Sequence, residues 1–247
     1  GPSTGLPTLV GQQDMMQAKW GSHGDYALVA YVPASPQEMF DITVKAFNTA
    51  ERLRVPVLIM ADEAVGHMTE GVVIPEASEI PLMSRPRPTV KPEEYLPFHT
   101  NGHLVPEMAH AGEGYFVHME SLTHDERGRP AISAAAQAKL VPRLIAKVER
   151  EKDWVCEVEH DRTADADVVV VAYGITSRCA RQAVDLARAK GIKAGMLRLI
   201  TAWPFPEDAL TALLPKVKGW VVSELNLGQM VLEVERVVGK SKPVIRV

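Results

Sequence analysis
Short apolar runs alternate with longer stretches at helical spacing at both ends of this chain, and the rhythm disappears in the middle. Residues 27–32 (Ala-Leu-Val-Ala-Tyr-Val) stop at Pro33 and predict a buried strand. Ser35 is then a good N-cap, with Pro36 at the first helical position and Glu38 at the third. Met39, Phe40, Val44, Phe47 and Leu53 follow at helix-like spacing, so that helix is predicted to reach about Arg54. Residues 55–60 give the next strand, and Asp62 is placed to cap a short helix to about Met68. Strand–helix–strand–helix is the grammar of a parallel α/β sheet.

The C-terminal section repeats that grammar. Residues 167–172 form an apolar strand, and Tyr173-Gly-Ile-Thr-Ser177 turns into a helix, with Thr176 expected as its N-cap. Gly191 closes that helix as a C′ residue. Strands are predicted over 193–199, 220–223 and 243–247, and helices over 206–214 and 228–238. Short connections between them point to a doubly wound parallel sheet. Between the two sections, prolines at 75, 81, 86, 88, 92, 97 and 106 destroy any periodicity. That stretch reads as an extended arm lying on a surface. Residues 131–149 read as a helix despite Pro142, and residues 155–160 alternate like an exposed strand. The predicted division is therefore residues 1–88, a connector over 89–163, and residues 164–247.

Composition narrows the function. A net charge of −4 gives no electrostatic case for nucleic acid or an anionic membrane. The apolar runs are too short to span a bilayer, and the opening residues lack a basic region followed by an apolar one, so no signal peptide is expected. Two cysteines, Cys156 and Cys179, supply neither a disulfide framework nor a four-cysteine cluster, so residence in the cytoplasm is expected. The chain is expected to be cut at both ends. Gly1 opens directly on a turn that normally follows a buried strand, and Val247 falls inside a strand.

Several residue groups are candidates for chemistry. Ser3, Thr4 and Thr8 lie in Gly1-Pro-Ser-Thr-Gly-Leu-Pro-Thr8, which is neither a Walker loop nor a dinucleotide fingerprint. Their hydroxyls suit a carboxylate or phosphate, and equally suit a solvated turn. Asp14, His23 and Asp25 gather around a glycine-flanked histidine, a setting for a ligand contact or for a surface loop. Tyr173-Gly-Ile-Thr-Ser177 sits where doubly wound sheets bind anions, or is an ordinary βα turn. Glu63 and His67 lie one helical turn apart without a third metal ligand, and prolines break any helix around His99, His103 and His110. No metal site is therefore expected. Trp203-Pro-Phe-Pro206 reads as a packing corner.

Read in series, Gly1-Pro-Ser-Thr-Gly-Leu-Pro-Thr8, Gln13-Asp-Met-Met-Gln-Ala-Lys-Trp-Gly-Ser-His-Gly-Asp25, Pro33-Ala-Ser-Pro-Gln-Glu-Met-Phe-Asp41, Pro56-Val-Leu-Ile-Met-Ala-Asp-Glu63, Tyr173-Gly-Ile-Thr-Ser177 and Leu199-Ile-Thr-Ala-Trp-Pro-Phe-Pro206 resemble the α subunit of 2-oxoacid:ferredoxin oxidoreductases, most closely the 2-oxoglutarate type. The resemblance implies the rear part of a pyrimidine-type thiamine diphosphate-binding domain, followed by a transketolase C-terminal-like domain. It implies CoA-dependent oxidative decarboxylation of 2-oxoglutarate to succinyl-CoA with reduction of ferredoxin. Thiamine diphosphate would be shared with a β subunit that carries Mg²⁺ and a 4Fe–4S cluster, in a dimer of αβ units. Thr8, with Ser3 and Thr4, becomes the substrate-side site, and His23 and Asp25 lie near the cofactor. The family's activating glutamate and substrate arginine would lie upstream of Gly1, so no catalytic residue is assigned and the chain is not expected to act alone. Pyruvate or a branched-chain 2-oxoacid as substrate, and a non-catalytic scaffold, remain open alternatives.

Overall fold
The computed structural model describes residues 9–247, so Ser3, Thr4 and Thr8 lie outside the described residues. The first unit comprises helix α1 (Met15–Trp20), strand β1 (Val29–Tyr31), helix α2 (Pro36–Leu53), strand β2 (Val57–Ile59) and helix α3 (Glu63–His67). After the arm come helices α4 (Ala134–Glu149) and α5 (Lys152–Val155) and strand β3 (Val158–Asp161). The remainder runs β4 (Val168–Tyr173), α6 (Ile175–Ala189), β5 (Ala194–Leu199), β6 (Thr201–Trp203), α7 (Glu207–Leu213), β7 (Gly219–Ser223), α8 (Met230–Val238) and β8 (Val244–Arg246).

Local chemistry sets most helix ends. The Ser35 side chain accepts from the Glu38 N–H, and the Glu38 carboxylate accepts in return from Ala34 N at 2.7 Å, so α2 is sealed from both directions. Asp62 caps α3 by accepting from Val65 N at 3.1 Å. Gly191, at φ 79°, closes α6 while Ile192 N–H reaches back to the Ala187 carbonyl at 3.1 Å. The α6 start differs from expectation. Gly174, not Thr176, is the cap residue, and the Thr176 hydroxyl donates instead to the Tyr173 and Ser223 carbonyls.

Two sheets result. Strands β3-β5-β4-β7-β8 form one, parallel except for β3, which joins as an antiparallel edge. Alternate residues of β4 face opposite ways. Val170 and Ala172 pack with Ala180 and Val184 of α6, whereas Val169 and Val171 pack with Leu210 of α7 and Val234 of α8. This is the doubly wound arrangement expected. The other sheet is β2-β1-β6, with β1 and β2 parallel and β6 antiparallel. Strand β6, unforeseen from sequence, carries the C-terminal section into the first sheet. One apolar core accordingly runs through both, from Met15, Ala30 and Val32 to Trp203, Trp220 and Met230.

The arm has two single 3₁₀ turns, Ala77–Glu79 and Pro92–Glu94, and is exposed over most of its length. Side chains of α2 hold it down where a sheet partner is lacking. Gln37 brackets the backbone of Val73, and Asn48 donates to the Pro81 carbonyl while accepting from Met83 N. Arg54 gathers the carbonyls of Pro97, Pro106 and Glu107. These bonds satisfy backbone groups that an isolated extended segment would leave to water.

Candidate functional site
The chain crosses from β5 back over β4 to reach β7, so the carboxyl ends of β4 and β7 flank a topological switch point, the usual ligand crevice of such sheets. Here that crevice carries its own anions. Glu224, 5% exposed, lies just past β7. Its carboxylate accepts from the Tyr173 hydroxyl at 2.7 Å, from Asn226, and from the backbone N–H groups of Gln229, Met230 and Val231 at 3.0–3.1 Å. It therefore fills the N-terminus of α8, where the helix dipole favours negative charge. Burial and the adjacent Glu224 charge push the Tyr173 phenol far above its ordinary range, so it stays a donor.

The N-terminus of α6 is filled in the same way from the other sheet. Asp62 Oδ2 accepts from Ile175 N at 2.7 Å. Gly174, at φ 54°, makes the approach possible, since a Cβ there would come within 2.6 Å of Asp62 Oδ2. Of the two readings of the Tyr173-Gly-Ile-Thr-Ser177 turn, an anion site or an ordinary βα turn, the structure shows a helix start whose Ile175 N–H is taken by the chain's own Asp62 carboxylate.

Beside Asp62 lies a cavity of about 360 Å³ at the carboxyl ends of β1 and β2. Segment 11–18, Val32, residues 57–62 and Tyr173 line it. Its walls are apolar at Met15, Ala18, Val32, Leu58 and Met60, with amide and carboxylate groups from Gln12, Gln13, Asp14, Gln17 and Asp62, and with no lysine, arginine or histidine in the lining. Such a slot suits a flat, mostly apolar ring with polar edges, and no cation for a diphosphate stands among its described lining residues.

Helix α1 forms one wall and was not foreseen, because its anchors lie far away in sequence. Asp14 gives it no side-chain cap. Gln229 does so instead, accepting from Met16 N at 2.8 Å and donating to the Gln13 carbonyl. The Trp203 indole donates to the Met15 carbonyl at 2.8 Å, so the Trp203-Pro-Phe-Pro206 corner both packs and pins this wall. Of the sequence candidates, Asp14 lines the cavity, whereas His23 and Asp25 lie on the exposed loop after α1 and are not part of the lining. Glu63 and His67 share α3, but no group of three metal-binding side chains forms among the described residues.

Comparison with known proteins bears on the whole chain. The family model described as pyruvate flavodoxin/ferredoxin oxidoreductase, thiamine diphosphate-binding, matches residues 1–141, and that for pyruvate:ferredoxin oxidoreductase core domain II matches residues 166–247. The 2-oxoglutarate synthase subunit KorA of Methanocaldococcus jannaschii is 49% identical over 100% of this chain and 66% of its own length. That of Methanothermobacter thermautotrophicus is 48% identical over 96% of this chain and 62% of its own. The ketoisovalerate oxidoreductase subunit VorB of Methanothermobacter marburgensis is 34% identical over 86% of this chain and 53% of its own. The chain thus spans about two thirds or less of the length of these relatives. Among solved structures, 2-oxoglutarate:ferredoxin oxidoreductase from Magnetococcus marinus, with 2-oxoglutarate, coenzyme A and succinyl-CoA bound, superposes with a TM-score of 0.87 at 24% identity, covering 100% of this chain and 43% of that one. This last likeness establishes the fold.

Proposed function
The chain belongs to the pyruvate flavodoxin/ferredoxin oxidoreductase family, and on that premise we propose that it is an α-subunit portion of a 2-oxoglutarate:ferredoxin oxidoreductase. The observation carrying the substrate is the identity of 49% and 48% to two 2-oxoglutarate synthase subunits, against 34% to a ketoisovalerate subunit. The reaction joins 2-oxoglutarate and coenzyme A into succinyl-CoA, releases carbon dioxide and passes two electrons to ferredoxin.

Thiamine diphosphate, when bound, supplies the carbanion chemistry and the electron sink. The cavity at the ends of β1 and β2 fits its ring end, with Met15, Val32, Leu58 and Met60 as apolar wall and Gln12 and Gln17 as polar edge. The absence of a cation from that lining agrees with a diphosphate held elsewhere, by Mg²⁺ on a β subunit that also carries the 4Fe–4S cluster. Two αβ units make up the assembled enzyme, and ferredoxin is its electron acceptor. Thr8, with Ser3 and Thr4, donates hydrogen bonds to the 2-oxoacid carboxylate or carbonyl, while His23 and Asp25 stand near the cofactor. None of the described helices is long and apolar enough to cross a membrane, and the cytoplasm is the proposed compartment.

The test uses the full-length subunit purified with its β partner. Succinyl-CoA should form from 2-oxoglutarate and coenzyme A, identified by mass. Thr8→Ala should lower turnover roughly tenfold to a hundredfold, the worth of one hydrogen bond to a charged group. Failure of the wild-type complex to make succinyl-CoA overturns the reading. Unchanged kinetics in Thr8→Ala removes the substrate-site assignment.

A further inference from the structure
Asp62 does more than cap α3. The residue is 6% exposed, its carboxylate forms no ion pair among the described residues, and N–H donors from three directions surround it. Oδ1 takes Val65 N, while Oδ2 takes Ile175 N at 2.7 Å and the Gln12 side-chain amide at 3.4 Å. Gln12 is gripped in turn. Its Nε2 donates to the Tyr173 carbonyl at 2.9 Å and its Oε1 accepts from Leu225 N at 3.1 Å. Its backbone N–H donates to the Leu225 carbonyl, and its carbonyl accepts from Asn226.

Three separate parts of the chain therefore meet at one carboxylate. They are the end of β2, the start of α6, and the segment that becomes the wall of the cavity. Gly174 leaves no slack, since a Cβ there would stand 2.6 Å from Asp62 Oδ2 and 2.8 Å from Gln12 Nε2. From this geometry we infer that Asp62 is a positioning residue. Through Gln12 it fixes segment 11–15 in the shape that receives the ligand. The inference rests on the functional reading above only for the identity of that ligand.

Asp62→Asn is the informative change. Asparagine keeps the size and can still cap α3 through its oxygen, but its amide N–H₂ then opposes the N–H groups of Ile175 and Gln12. Glu38→Gln is the control, because Glu38 braces the start of α2 and neither lines the cavity nor bonds to Asp62 or Gln12. The variants are made in the complete enzyme with its β partner. Amide exchange of residues 11–15 is followed without substrate, alongside KM and kcat for 2-oxoglutarate.

Asp62→Asn should speed exchange across residues 11–15 by at least roughly tenfold. It should raise KM by a similar factor with kcat changed less than about twofold. Glu38→Gln should lower the melting temperature without moving that segment or KM. Unchanged exchange at residues 11–15, or the same kinetic change in both variants, overturns the assignment. Gln12→Met, which keeps the bulk and loses the bonds, carries the same test should Asp62→Asn not assemble. The exchange readout needs no turnover. An inactive wild-type complex thus sinks the functional reading, while the latch is still judged by exchange.

Discussion
Burial pulls the Lys147 ammonium down to about 8, and the neighbouring Arg143 and Arg54 cations add to the effect. Among the described residues it forms no ion pair. Its hydrogen bond goes to the Arg54 carbonyl at 2.5 Å, beneath the arm that Arg54 itself holds. The consequence for stability has a definite sign. Below pH 8 the lysine is protonated in both folded and unfolded chains, and the whole cost of burying its charge is felt. Between about 8 and 10.4 the folded protein sheds the proton first, so stability rises with pH by up to roughly 3 kcal/mol. Denaturant midpoints of the full-length subunit should therefore increase from pH 7.5 to 9.5 through this residue, and Lys147→Met should remove that part of the slope. An identical slope in both proteins would contradict the assignment. Burial pushes Cys156 up to about 11, the opposite of what a nucleophile requires.

Between elements, polar contacts join what periodicity treats as separate. Arg198 on β5, its side chain 6% exposed, pairs with Glu38 at the start of α2 and with Glu159 on β3. Burial alone would raise the Glu38 pKa, but the bonds to Arg198 and the Ala34 N–H outweigh it and hold the carboxyl below its usual value. Glu38 thus stabilises the fold above the ordinary carboxylate range, and that contribution is lost as pH falls through its lowered value. Glu38→Gln should cost about 2–3 kcal/mol, between the limits for exposed and buried pairs, read from thermal or denaturant unfolding at pH 7. The same distinction explains what the sequence made legible. Ser35, Pro36, Glu38 and Asp62 signal their helices because cap and helix are neighbours. Helix α1 escaped because its cap is Gln229, and β6 escaped because three residues find a partner strand in β1. Thr176 was mistaken for a cap because the acceptor at α6, Asp62, lies 113 residues earlier. The cavity is hidden for the same reason, since segment 11–18 becomes a wall only when Trp203, Leu225, Asn226 and Gln229 hold it.

At the scale of the molecule, the two sheets share one apolar core, and the C-terminal section contributes a strand to the first sheet and the anchors of the cavity wall. The crevice of the doubly wound sheet is closed by Asp62 and Glu224, which leaves the cavity beside β1 and β2 as the place where chemistry is expected. On the proposed function, the family's cofactor would supply the reactive carbon, and this chain would hold and shape its surroundings. The most direct measurement of that account is CoA-dependent reduction of a low-potential acceptor by the full-length subunit with its β partner, comparing 2-oxoglutarate, pyruvate and a branched-chain 2-oxoacid. On the proposed function, kcat/KM should favour 2-oxoglutarate by at least roughly a hundredfold. Preference for pyruvate or the branched-chain acid would contradict the substrate assignment. No turnover with any 2-oxoacid, in a complex that holds its thiamine diphosphate and cluster, would contradict the enzymatic role and leave a scaffold.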